Sequence, residues 1–402
     1  MTAIRESRAQ AVVSVAAICC GNAGPALVYD ALAPVLPHIA AHFGGGSSGE
    51  GIAKASVGLA VVGMGLAGLF AAPAVARFGF RSTLNAGWLL FGIAGSAGLA
   101  LDSAPLLLAT RLLLGLMGGM LMAAAGLGIA ARYEPARRPR MMGVNLAVGA
   151  FTAILFLFVA AAVAKISWRA PFALHGGLAL VGLLLVAGAR LPDSATAPSV
   201  AATREGFWRA LLPALPAYGL LLVMVVTGNL FNVQIVFLLA SRGIADPGEL
   251  ATICAIMPMA LGVTNLVFGN VEARLGLART IIVAFAMFVV GTTLCAILPS
   301  LVTTGAGMIA GGIALGLCTP SAMTLIMRGV APDRMPTALS FATTLIYVGG
   351  GAAPLVYVPL RGVVGYGGIY LCAGGVIFAG LVVWSMSRLV PHTRPPIYRR
   401  SA

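Results

Sequence analysis

The chain has 402 residues, of which 60% are hydrophobic and 9% charged, with a formal net charge of +14. Soluble domains carry roughly 25% charged residues, so a globule surrounded by water is excluded. The positive excess reads as asymmetry between loops rather than as a nucleic-acid surface. The six cysteines (Cys19, Cys20, Cys254, Cys295, Cys318, Cys372) fall in apolar runs without CxxC spacing or His partners, which excludes a metal or disulfide framework and leaves core packing.

Apolar runs of helix-spanning length recur from end to end, and alternating ten-residue strands do not, so the chain reads as an all-α membrane protein. Twelve transmembrane helices are expected near 11–42, 54–75, 82–101, 104–131, 141–164, 170–190, 210–240, 250–271, 280–298, 302–327, 338–360 and 367–387. The first follows Arg5 and Arg8 and continues without a cleavage site, so it reads as a span and not a signal peptide. It contains "GNAGPALVYDALAPVLP", in which Asp30 is the one Asp, Glu, Lys or Arg between Ala9 and Gly49. A carboxylate at the bilayer centre costs ~2.5–3.5 kcal/mol of insertion free energy. Asn22 is a second polar group there, and His38 and His42 stand four apart near its end, a spacing that a single helix face shares but that lacks a third ligand.

Span two carries "VGMGLAG" and is followed by "ARFGFR", with Arg77, Gly79 and Arg81. Span four holds Arg111 in "RLLLGLMGG", with Gly115 and Gly119 behind it. Span six opens with His175 in "ALHGG". The aperiodic "RLPDSATAPSVAATREG" reads as a linker over 191–209, dividing the chain into six-helix bundles at 1–190 and 210–402. Span seven carries Asn229, Asn232 and Gln234 in "TGNLFNVQ", and span eleven carries Gly349, Gly350, Gly351 and Pro354 in "VGGGAAP". Small residues at such positions let helices approach closely.

The halves repeat. "ARFGFR" returns as "ARLGLAR", placing Arg274 and Gly276 in register with Arg77 and Gly79, and the same offset of 197 carries Gly115 and Gly119 to Gly312 and Gly316. Two pseudo-symmetric bundles are therefore expected. Orientation follows from basic loops, which stay cytoplasmic. With the N-terminus inside, Lys54, Lys165, Arg169, Arg242 and Arg361 fall outside, Arg111 within the membrane, and every other Lys and Arg inside, as do both termini.

This arrangement resembles the major facilitator superfamily (MFS) over nearly the whole chain. "AAPAVARFGFR" is similar to its loop between spans two and three, "RLLLGLMGG" to its fourth-span motif, "SWRAPFALHGG" to the entry of its sixth span in bacterial drug and metabolite exporters, and "LAPVLPHIAAHFG" to the end of their first. Ala76 stands where the family has an acidic residue and Ala72 where it has Gly, and "GVNLAVGAFTAILFLF" lacks the antiporters' Gly-Pro motif. The resemblance implies a secondary transporter of the bacterial inner membrane, a monomer without cofactor, working on a small molecule, protons and the surrounding lipid bilayer.

By this topology Asp30 and Arg111 are the charged residues within the spans. Either they form a proton-coupling or substrate-binding pair, with Arg111 shifting the affinity of Asp30 for protons, or they form a static ion pair fastening span one to span four. Asn22, Asn229, Asn232 and Gln234 are the candidate substrate contacts, and Arg77, Gly79, Arg81, Arg274 and Gly276 the gating loops. The expected function is proton-coupled efflux; the alternative is uptake of a small organic anion whose carboxylate Arg111 binds. Neither HExxH nor a P-loop occurs, which argues against an enzyme and against primary transport.

Overall fold

The computed structural model describes residues 7–134, 137–191, 212–297, 300–330 and 335–389; the linker expected over 191–209 lies almost wholly outside them. Among the described residues the chain is helical and no strand occurs. In hydrocarbon every backbone N–H and C=O needs a partner within the segment, and an apolar helix supplies it.

The first half contains α1 (Arg8–Cys20), α2 (Ala23–Asp30), α3 (Leu36–His42), α4 (Gly46–Phe78), α5 (Phe80–Ser96), α6 (Ala104–Arg132), α7 (Arg138–Ala164) and α8 (Ala173–Gly188). The second contains α9 (Leu215–Asn229), a π-helical turn (Leu230–Gln234), α10 (Ile235–Ser241), α11 (Pro247–Leu275), α12 (Leu277–Ile297), α13 (Leu301–Gly329) and α14 (Met335–Leu389). Helical segments thus lie at all twelve expected positions.

By length and apolarity eight described helices qualify as spans, and the bent α1–α3 series makes nine. The other three are accounted for by size. α5 has 17 residues, the apolar part of α7 is Val148–Ala164, and α14 contains two spans joined at Gly365 (φ 70°, ψ 178°).

Three expectations are corrected. The first span is not one helix: it breaks at Gly21–Asn22 and again at the 3-10 turn Ala33–Val35. Pro34 and Pro37 lack the N–H that a helix interior needs, so each sits near the start of a new segment. The loops after spans two and eight shrink to single residues, Gly79 and Gly276. Span two, expected to begin at Lys54, begins at Gly46, so that Lys54 lies within α4 and is fully buried, with Glu50 one turn before it.

The repeat is visible in the backbone. Gly79 has φ 81°, ψ 160° and Gly276 φ 77°, ψ 155°. The hydroxyl of Thr83 donates to Gly79 O (2.8 Å) and that of Thr280 to Gly276 O (3.0 Å). Ser103 and Ser300 precede α6 and α13, which both have 29 residues. Gly115 and Gly119 bring α6 onto Ala60 and Met64 of α4, as Gly312 and Gly316 bring α13 onto Met257 and Leu261 of α11. Every pair keeps the offset of 197.

Two seams join the halves. In one, Gly58 of α4 meets Gly351 and Pro354 of α14, and Gly65 meets Tyr347 and Val348. In the other, Leu157 and Ala161 of α7 pack with Ala251 and Ala255 of α11, and with Ala33. Gly58, Gly351 and Pro354 and the whole of the second seam lie toward the end that carries Glu50, whereas the first seam runs past the middle of α4 at Gly65, where Tyr347 OH also donates to Met122 Sδ of α6 (3.3 Å). Large apolar side chains such as Phe151 (75% exposed) and Leu266 (86%) cover the outside, as lipid-facing residues do.

Candidate functional site

Span seven turns π-helical over Leu230–Gln234, where its sequence is least suited to an α-helix: Gly228, Asn229 and Asn232 are weak helix formers. A π turn leaves carbonyls without their usual i+4 donors, and side chains take that place. Tyr370 OH donates to Leu230 O (2.7 Å), Tyr357 OH to Val226 O (3.0 Å) and Asn232 Nδ2 to Gly228 O (3.3 Å). Tyr370→Phe strands the buried Leu230 carbonyl. It is expected to lower stability by about 1–3 kcal/mol, read as a lower melting midpoint in detergent.

The four candidate substrate contacts part company here. Asn232 is exposed and lines a crevice between the halves with Ala33, Leu36, Val57 and Phe231. Asn229 is buried and donates from Nδ2 to Gly350 O of span eleven (3.2 Å), while its Oδ1 has no partner. Gln234 is fully buried and both its amide atoms lack partners. Asn22 donates from Nδ2 to Asn145 O (3.0 Å), tying span one to span five, where Gly149 leaves room for its side chain. Buried polar atoms without partners are uncommon in native proteins, so this polar stretch of span seven stands out from packing alone.

In the N-terminal half, Asp30 ends α2; its side chain lies outside what the structure describes. Arg111 is fully buried. Its Nη2 donates to Ala94 O (2.6 Å) and Gly95 O (2.8 Å) in the last turn of α5, and its guanidinium stands 5.0 Å from the Phe172 ring. The last carbonyls of a helix lack internal donors and carry partial negative charge, so a cation suits them. Nε and Nη1 of Arg111 remain without partners. Beside it His175 is buried, with Nδ1 3.1 Å from Phe172 O. A carbonyl accepts only, so Nδ1 carries the proton and Nε2, unpartnered, presents a lone pair.

His38 is exposed and His42 does not share a ligand site with it. His42 Nε2 lies 3.2 Å from Asp102 Oδ1, which also binds Arg169, and the His42 ring stands 4.9 Å from Trp168. Hydrogen bonding and the charge of Arg169 hold the Asp102 carboxyl below the usual carboxylate range. Among the described residues no group of three or more His, Cys, Asp or Glu has a metal-binding arrangement.

Of the gating-loop residues, Arg77 and Arg274 are exposed, and Arg77 covers the Phe78 ring at 5.7 Å. Arg81 caps α8 by donating to Val186 O (2.9 Å) and Ala189 O (2.5 Å). In the second half Arg328 pairs with Glu272 at 2.9 Å. In span eleven, Gly349 lies against Leu222 of span seven, and Gly351 and Pro354 against Gly58 of span two.

The sequence reading missed one cluster altogether. Glu50 Oε2 accepts from Lys54 Nζ (3.3 Å), from Arg361 Nη1 and from Tyr366 OH. Lys54 Nζ also sits 4.5 Å from the Phe237 ring centroid and 5.1 Å from that of Tyr366. The available signal was the Glu50–Lys54 spacing of four, which favours an ion pair on one helix face.

Similarity to known proteins agrees with this architecture. Among solved structures, a single-residue mutant of the nucleoside transporter NupG superposes with a TM-score of 0.74 at 12% identity, covering 93% of this chain and 99% of that one. The xylose transporter XylE from E. coli, in a partially occluded inward-open conformation, gives 0.68 at 13% identity, covering 97% and 100%. A D-xylose–proton symporter gives 0.70 at 16% identity, covering 96% and 98%. At such identities the likeness is one of fold. No curated protein matches the sequence. The sequence model of the Major Facilitator Superfamily matches residues 18–354, and with helical segments at all twelve span positions in two pseudo-symmetric bundles the chain belongs to that superfamily of membrane transporters.

Proposed function

We propose that this protein moves a small organic solute across the bacterial inner membrane by alternating access, driven by protons and without a cofactor, as a monomer. The observation that carries the reading is one-sided closure. Both seams join the halves at the Glu50 end, the first running on past the middle of α4 to Gly65. Among the described residues Arg77, Arg132, Arg274 and Arg328 stand in the last turns of their helices at the other end, which the positive-inside rule reads as cytoplasmic. The conformation is then closed to the outside, with Asn232 at the boundary between halves where a solute passes.

Efflux by antiport is the proposed direction. Asp30 binds the proton and attracts a moderately apolar or cationic solute, while Arg111, always charged, sets its proton affinity. Asn22, Asn229 and Gln234 join Asn232 as contacts in conformations that release them from their present neighbours. The second reading, uptake of a small organic anion, is favoured by Arg111 itself: two of its donor nitrogens lack partners, and a guanidinium fork suits a carboxylate.

The test is accumulation of a fluorescent lipophilic cation in an efflux-deficient bacterial host. Wild type is expected to lower accumulation, and both Asp30→Asn and a protonophore to restore it. Equal accumulation in all arms at matched expression removes the cation-export reading and turns attention to carboxylate uptake.

A further inference from the structure

Where span two crosses span eleven, a half-open groove of about 360 Å³ runs beside the first seam. Gly51, Ala55, Leu59 and Val62 of α4 line one wall, and Leu355 and Pro359 of α14 stand on the other, both exposed. A Cβ on Gly58 would lie 2.6 Å from the Gly351 carbonyl oxygen, so the two helices touch there. The small side chains on either side of that contact leave the groove. No lining side chain is polar.

The groove meets charge at one end only. Glu50 precedes Gly51, and Arg361 stands two residues beyond Pro359. With Lys54, which is fully buried, these groups sum to one positive charge. Arg361 is the more accessible cation, 22% exposed. Its bonds to Glu50 and Tyr366 both run through Nη1, and among the described residues its Nε and Nη2 have no partner.

We propose that this groove binds an anionic phospholipid of the outer leaflet, with the phosphate on Arg361 and one acyl chain lying between α4 and α14. Three observations carry the assignment. The first is length: the eleven residues from Gly51 to Val62 rise ~16 Å, about half of a hydrocarbon core about 30 Å thick. That is the depth of one leaflet. The second is the lining, which offers an acyl chain contact throughout and offers a cationic solute no acceptor side chain. The third is charge. A net positive cluster at headgroup level complements an anionic lipid, and the free edge of a guanidinium suits a phosphate. The assignment to the outer leaflet rests on the orientation proposed above. Since α4 and α14 belong to opposite halves, a chain seated against both favours the conformation in which they touch.

The experiment places the full-length protein in phosphatidylcholine nanodiscs containing phosphatidylglycerol or phosphatidylethanolamine with a photoactivatable diazirine in the acyl chain. After irradiation, mass spectrometry locates the adducts. Peptides with Leu59 and Leu355 are expected to carry more adduct than that with Leu266, an 86%-exposed residue of α11 away from the groove. At the groove, phosphatidylglycerol is expected to exceed phosphatidylethanolamine roughly fivefold, the effect of one basic residue near a headgroup. Arg361→Gln is expected to equalise the two lipids there, Arg361→Lys to keep the preference, and Ala55→Phe, which fills the groove, to lower the adduct at Leu355. Groove labelling no greater than at Leu266, equal labelling by both lipids, or a preference that survives Arg361→Gln overturns the proposal. Adducts displaced by the lipophilic cation would make the groove a solute exit and overturn it too. Labelling needs no transport, so the result is separate from that of Asp30→Asn.

Discussion

Gly115→Leu is expected to abolish accumulation of folded protein, whereas Gly126→Leu on the same helix leaves it near wild type. A Cβ at Gly115 would strike the carbonyl oxygen, carbonyl carbon and Cα of Ala60, all backbone, while nothing lies within 4 Å of one at Gly126. A rotamer change cannot relieve a collision with backbone; α4 and α6 must move apart. Parting them also disturbs the contact that Gly63 makes with Leu112 and Leu116 in the same crossing. One excess methylene in a tight core already costs about 1–3 kcal/mol, and a leucine brings four carbons. Within lipid no hydrophobic force draws the parted helices back together. Fluorescence-detected size exclusion of the two variants checks the contrast: a monodisperse Gly115→Leu protein with an unchanged melting midpoint contradicts it.

Arg111→Met is expected to fold and accumulate normally yet to transport at least about tenfold more slowly. The second half already has a methionine at the corresponding place: Met308 is fully buried in α13. Removing the guanidinium relieves the cost of burying a charge whose Nε and Nη1 have no partner. Against that, the Ala94 and Gly95 carbonyls lose a donor, which costs about 1–3 kcal/mol. The two roughly offset, so the expected change in stability is small. A loss of transport in a protein of unchanged melting midpoint would then place Arg111 in the transport cycle. If the methionine protein transports at the wild-type rate, the guanidinium is a helix cap and the proton-coupling role falls.

Much of the architecture can be read from the residues because a bilayer imposes lengths. The twelve apolar runs, the repeat at Arg77 and Arg274, and the crossings at Gly115 and Gly312 are all periodic features of the chain itself. What escaped depends on which distant residues meet. Glu50 finds Arg361 and Tyr366 at separations of 311 and 316 positions, and a basic residue near a span's end looks like a loop residue until its partner is known. Depth in the membrane placed Arg111 inside the first bundle, but depth does not say which neighbouring helix it serves; α5 takes two of its hydrogen bonds. Asn22 and Asn229 show the same limit. An asparagine in a span is equally suited to a solute and to a neighbouring backbone, and here each donates to a carbonyl on another helix. Of the two breaks in span one, only the second had a signal in the sequence, in Pro34 and Pro37, and the expectation of one continuous helix passed over it.

Gly79, Gly276 and Gly365 share one backbone shape, with positive φ and extended ψ, a region essentially closed to any residue with a side chain. Each is a one-residue elbow between consecutive membrane crossings. At the third, 55 residues run from Met335 to Leu389, and drawn out straight at 1.5 Å per residue they would form a rod of about 80 Å. The hydrocarbon layer is only about 30 Å thick, so a straight rod would drive apolar turns into water on both faces. The thickness of the lipid, more than any neighbouring side chain, is what reserves these three positions for glycine.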